Sequence, residues 1–150
     1  MSETSIFAPV SIDRMWLTHI NFDLGQRPAD DMVVKVDVDF NKTSVDRDDE
    51  GRLSEAISFT VNARLVNAED DDDVRLSASA SMVTEVSTAF PGLSDEDGEL
   101  YLTRNAISMS YSHARSCIMS VSAMSPMGGF VLPPVLPDEI LSESEGDETE

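Results

Sequence analysis

Three sets of side chains have the types and spacing that could support chemistry. His113 and Cys117 stand four residues apart, which places both on one face of a helix and can seat a metal ion. Two ligands do not complete a site, and the other histidine, His19, falls on the solvent side of an alternating segment. Asp46, Asp48, Glu50 and Gly51 match the opening of a calcium loop, with oxygen ligands at alternate positions and a glycine sixth. The twelfth position, which must supply a carboxylate, is Ile57, so the match fails. The acidic run Glu69 to Asp73 has neither the glycine nor the spacing to wrap an ion and reads as a solvated hairpin turn. Cys117 as a nucleophile would need an orienting base and a cleft, and no glycine-rich phosphate loop follows a strand. The side chains therefore assign no catalytic residue, no metal and no cofactor, and they point away from an enzyme.

The bulk composition narrows the class further. The 150 residues suffice for one domain with one modest core. Acidic residues number 29 and basic ones 10, which gives a net charge of −19. Nucleic-acid binding needs a basic surface, so that role is excluded. The charge repels anionic membranes and either attracts basic partners or simply serves solubility. Cys117 is the only cysteine, which points to a reducing compartment. Met1 to Pro9 lacks the basic start and apolar stretch of a signal peptide, and no segment has the length to cross a bilayer. A cytoplasmic protein without membrane insertion is expected.

The elements that must position these residues follow from periodicity. Ile12, Trp16, Ile20, Phe22 and Leu24 share one parity, opposite Asp13, His19, Asn21 and Asp23. Val34, Val36, Val38 and Phe40 alternate with Lys35, Asp37, Asp39 and Asn41. Ile57 to Leu65 and Val74 to Met82 repeat the pattern, the second against a wet face of Arg75, Ser77, Ser79 and Ser81. Each run buries one face and wets the other, as in an antiparallel sheet. Short links at Gly25 to Asp31, Thr43 to Arg52 and Asn67 to Asp73 suggest a four-stranded meander.

After Phe90-Pro91-Gly92 the period changes. Ser94 followed by Asp95, Glu96 and Asp97 is a helix start, with a capping hydroxyl and negative charge at the positive end of the dipole. Leu100, Ile107, Tyr111, Ala114, Ile118 and Val121 form one stripe, and Leu102, Ala106, Met109, His113 and Cys117 flank it. A helix this broadly apolar needs two things to pack against, the sheet and a partner chain. It should stop near Ser125-Pro126. Met124 to Pro137 is then apolar yet threaded with Gly128, Gly129, Pro133, Pro134 and Pro137, which excludes a regular helix or interior strand. From Asp138 onward there are seven acidic residues and no basic ones. The domain is placed at 1–141, with 142–150 as a disordered acidic tail.

This α+β order of four antiparallel strands, a long helix and a Pro-rich apolar crossover resembles the SecB protein-export chaperones. Tyr111-Ser-His-Ala-Arg-Ser-Cys-Ile118 is similar to that family's P-Y-A-R-x-x-I signature, with His113 in place of its Tyr. Leu132-Pro-Pro-Val135 is similar to its L-x-P-V, and Arg14 to Asp23 gives a weaker match, so the resemblance spans Ile12 to Leu141. It implies a homotetramer, a dimer of dimers whose helices pack between subunits through Leu100, Ile107, Tyr111, Ala114 and Ile118. It also implies that unfolded polypeptide clients lie, without ATP, in a groove between the sheet side of the subunit and the crossover.

The residues fit such a role in their own right. A surface that accepts many sequences should be apolar and deformable, and methionine is both. Met119, Met124, Met127, Phe130, Val131, Leu132 and Val135 are therefore expected to bind clients. The other reading of the segment is that it packs on the protein's own sheet. Two departures from the family stand out: only a short Asp138-Glu-Ile-Leu141 follows the crossover, and the family's acidic docking face for the SecA motor retains only Asp23, with His19, Ser77 and Ser79 at its other positions. A dedicated chaperone of one client, such as the antitoxin of a toxin–antitoxin module, is the alternative within the family. A structural or adaptor protein with one fixed partner is the alternative outside it.

Overall fold

The computed structural model describes residues 10–28, 31–88, 94–126, 128–134 and 137–141. Five strands precede one helix: β1 Val10–Leu24, β2 Met32–Lys42, β3 Asp46–Arg47, β4 Leu53–Asn67, β5 Asp70–Thr88 and α1 Asp95–Ser122. All pairings are antiparallel, in the order β1-β5-β4-β2, with the two-residue β3 also pairing β4. The α+β class is as expected.

The meander is not. β1 pairs with the last strand, from Val10 opposite Thr88 to Leu24 opposite Leu76, and lies at the far edge from β2. The β1–β2 link must therefore span three strand spacings, roughly 14 Å. Seven residues at about 3.3 Å each reach that far. The backbone N–H groups of Gly25 and Gln26 donate to the Arg75 carbonyl at 3.0 and 3.2 Å, and that of Ala68 donates to the Asp31 carbonyl at 2.9 Å. The link is thus tied across the end of the β4–β5 hairpin. That hairpin turns at Ala68 and Glu69, and Asp70 to Asp73 extend β5 rather than forming a loop.

The two central strands alternate as their sequences dictate. Ile57, Phe59, Val61 and Ala63 of β4 and Leu76, Ala78, Ala80 and Met82 of β5 are buried on one face. β1 departs from its pattern because its register shifts twice, between Ile12 and Arg14 and between Leu17 and His19. Each extra residue flips the parity of the residues after it. Met15 takes the inward position and Trp16, expected inside, is 41% exposed on the outer face. There the Arg14 guanidinium lies 5.5 Å from the Trp16 ring centroid while gripping both Glu85 carboxylate oxygens at 2.8 and 2.9 Å.

α1 begins as expected, with Ser94 Oγ accepting from the Asp97 N–H at 3.2 Å. Leu102, Ala106, Ile107, Tyr111, Ala114 and Ile118 join the sheet residues in one core. The chain then doubles back along the helix. It meets Ser122 at Phe130, Tyr111 at Pro133 and Arg104 at Asp138 in turn, and a helical turn at 137–141 seats Ile140 in the core. One layer, made of helix and crossover, thus covers one face of the sheet. No helix among the described residues is long and apolar enough to cross a membrane.

Candidate functional site

The crossover is built from a few specific contacts. Ser122, fully buried where α1 ends, donates to the Met119 carbonyl at 3.1 Å and accepts from the Phe130 N–H at 2.6 Å. Gly128 sits at φ +82°, a left-handed conformation that side-chain-bearing residues rarely adopt. A Cβ on Gly129 would come within 3.3 Å of Met119 Cγ, so the crossover runs tight against the helix. Further along, the Tyr111 hydroxyl donates to the Pro133 carbonyl. Burial raises the Tyr111 phenol above its ordinary value, with Arg115 opposing, so it stays a donor at neutral pH. Tyr111→Phe, which removes only this bond, should lower stability by about 1 kcal/mol in urea unfolding.

This seating divides the expected client-binding residues. Phe130 and Leu132 are 6% and 0% exposed and belong to the protein's own core, which corrects their assignment to a binding surface. Val131, between them, is 52% exposed because an extended segment alternates its faces. Met119 and Met124 are exposed as expected. Met127 and Val135 lie outside the described residues. Val131 and Met119, with Ser112, Arg115 and Ser116, line an open cleft of about 310 Å³ on the outer side of α1.

The expected oligomer contacts are corrected in the same way. Ile107, Tyr111, Ala114 and Ile118 are at most 5% exposed and face the chain's own sheet, the nearest apolar surface for that stripe. Leu100 alone of that set is exposed. Among the described residues, Tyr101, Met109, Met119, Met124 and Val131 are the other exposed large apolar side chains of α1 and the segment after it, and of these Met119 and Val131 share the cleft. Sequence reading missed Tyr101. The inward side of β2 is also only partly covered, with Val34 37% exposed and Val36, Val38 and Phe40 half-buried.

The other candidates resolve locally. Cys117 Sγ lies 3.7 Å from His113 Nε2, and among the described residues no third ligand joins them or forms a metal cluster elsewhere. Asp48 Oδ1 accepts from the N–H groups of Glu50 and Arg52 at 3.0 and 2.8 Å, so its carboxylate closes a turn. Asp23 is exposed on the outer sheet face, opposite Ser77 and hydrogen-bonded to Asn21 at 3.1 Å. Asn21 stands opposite Ser79 and His19 opposite Ser81, so the part of that face around Asp23 is rich in hydroxyls and amides.

No family model and no curated protein matches the sequence. The fold is similar to the solved structure of a Mycobacterium tuberculosis SecB-like chaperone, Rv1957, in complex with a ChAD peptide from the Rv1956 HigA1 antitoxin. The TM-score is 0.58 at 13% identity, covering 85% of this chain and 91% of that one. The chain therefore has the antiparallel-sheet and long-helix α+β fold of a SecB-like chaperone.

Proposed function

We propose that this protein is an ATP-independent holdase, not an enzyme, that captures exposed apolar segments of unfolded polypeptides in the cytoplasm. The observation that carries the reading is the open, methionine-bearing cleft on α1 where the exposed Met119 and Val131 meet. Met side chains adapt to varied partners, and each exposed one can bury apolar area worth roughly 25 cal/mol per Å². A few hundred Å² per subunit gives reversible affinity, and a tetramer would multiply it by avidity. Leu100, the one expected subunit contact left exposed, would give the helix of a neighbouring subunit a separate place to meet.

A dedicated client is the second reading. The fold neighbour was solved with an antitoxin peptide. On the β1–β5 part of the outer sheet face, where a SecB-type protein would dock the SecA motor, Asp23 stands among serines and asparagine. Both favour a client such as an antitoxin over delivery to the export motor.

The test is light scattering from an unrelated, chemically unfolded protein diluted into buffer with or without this chain and without nucleotide. Suppressed aggregation supports general capture. Unchanged scattering, with tight binding of a single co-purifying partner, supports the dedicated chaperone or a fixed adaptor instead.

A further inference from the structure

The contacts that dock α1 on the sheet change character along its length. From Ala106 to Ile118 the docked side chains are mainly apolar, whereas the first nine residues add a row of polar tethers. Asp95, Glu99 and Thr103, four residues apart, lie in one row on the helix. Each meets the corner where β2, β3 and β4 converge. Arg47 of β3 donates to Asp95, and Lys42 at the end of β2 donates to Glu99. Thr103 Oγ1 donates to Glu55 Oε1 of β4 at 2.9 Å.

The first two pairs are open to solvent and stabilise little. The third is buried, with Thr103 3% and Glu55 4% exposed, although Glu55 also lines an open cavity of about 380 Å³ with Asp13, Asp46 and Glu85. Glu55 points inward between the buried Leu53 and Ile57, and among the described residues its Oε2 has no hydrogen-bond partner. An ionised carboxylate there holds charge on a buried oxygen that no donor among the described residues meets, whereas the protonated form does not. Burial raises the Glu55 carboxyl above its ordinary value; the Thr103 hydroxyl and Lys42 oppose this and Glu99 adds to it. Arg47 and Asp95, one helical turn beyond Glu99, pair with each other.

We propose that Glu55 is a proton-controlled latch that docks the first turns of α1 when protonated and loosens them when ionised, uncovering Leu53 and Leu102. The apolar stretch from Ala106 to Ile118 stays seated in both states. The sign follows from linkage: the docked state binds the proton more tightly than the open one. Docking is therefore complete below the ordinary glutamate range and weakens as pH rises through the raised value. The latch stands whether or not the chain is a holdase, because it concerns only how the helix sits.

Amide hydrogen exchange on the full chain tests it, followed residue by residue from about pH 4 to about pH 8 and corrected for intrinsic rates. Protection of amides 99–106, relative to 110–118, should fall by about tenfold across this range, the scale of one buried polar atom left unpaired. Glu55→Gln keeps an acceptor for Thr103 without the charge and should flatten the profile. Lys42→Met removes the opposing cation and should lower protection further at neutral pH while matching the wild type in acid. A flat wild-type profile, an unchanged slope in Glu55→Gln, or a loss shared equally by the whole helix would overturn the latch. Should Glu55→Gln fail to fold, carbon-13 titration of the wild-type Glu55 carboxyl decides, since an ordinary glutamate midpoint also overturns it.

Discussion

Phe130→Asp is expected to abolish cooperative folding, whereas Val131→Asp, one residue along, leaves the thermal melt close to wild type. Phe130 is 6% exposed and its N–H is held by Ser122, so the substitution removes a large core side chain and buries a charge in its place. Losing the aromatic ring alone costs about 3–5 kcal/mol. The buried carboxylate adds several more unless it is protonated. That sum approaches the whole stability of a domain of this size, roughly 5–15 kcal/mol. Circular dichroism melts of both variants check the prediction. A folded Phe130→Asp protein would show that the crossover is not part of the core.

The second large effect is on binding rather than folding. The double variant Met119→Glu with Val131→Glu should keep its melt within a few degrees of wild type and lose about tenfold in capture of an unfolded client, the equivalent of about 1.4 kcal/mol. Both side chains line the same open cleft, and both are exposed, so their replacement removes surface available to a client and none of the core. The added charge in a chain already at −19 also repels acidic clients, so the loss should shrink in high salt for those and persist for neutral ones. Concentration-dependent suppression of light scattering measures it. Undiminished capture would move the client surface elsewhere, with the half-covered inward side of β2 the first place to look.

Much of the fold was legible in the residues themselves. Alternation in Ile57 to Leu65 and Leu76 to Met82 fixed which face each central strand buries, because a strand's side chains point to opposite sides by geometry alone. Ser94 with three following carboxylates marked the start of α1, since unpaired N–H groups and the helix dipole act within one turn. Glu55 was not legible, because the alternating run reads from Ile57; the structure carries β4 back to Leu53, sets Thr103 beside Glu55 and, among the described residues, leaves its other oxygen without a partner. The helical stripe announced its apolar side without saying whether the sheet or another subunit covers it. In the described chain the sheet does.

The sequence by itself determined the local matters: the faces of the central strands, helix start, the breaks imposed by Gly and Pro, and the excess of negative charge. The tertiary structure alone decided that β1 pairs with β5 across the sheet, that two bulges turn Trp16 outward, and that Phe130 and Leu132 belong to the core while Val131 does not. The division has a physical cause. Periodicity and capping are settled by neighbours within a few residues, whereas strand order and the seating of the crossover depend on contacts between segments far apart in the chain, where register and burial are chosen jointly.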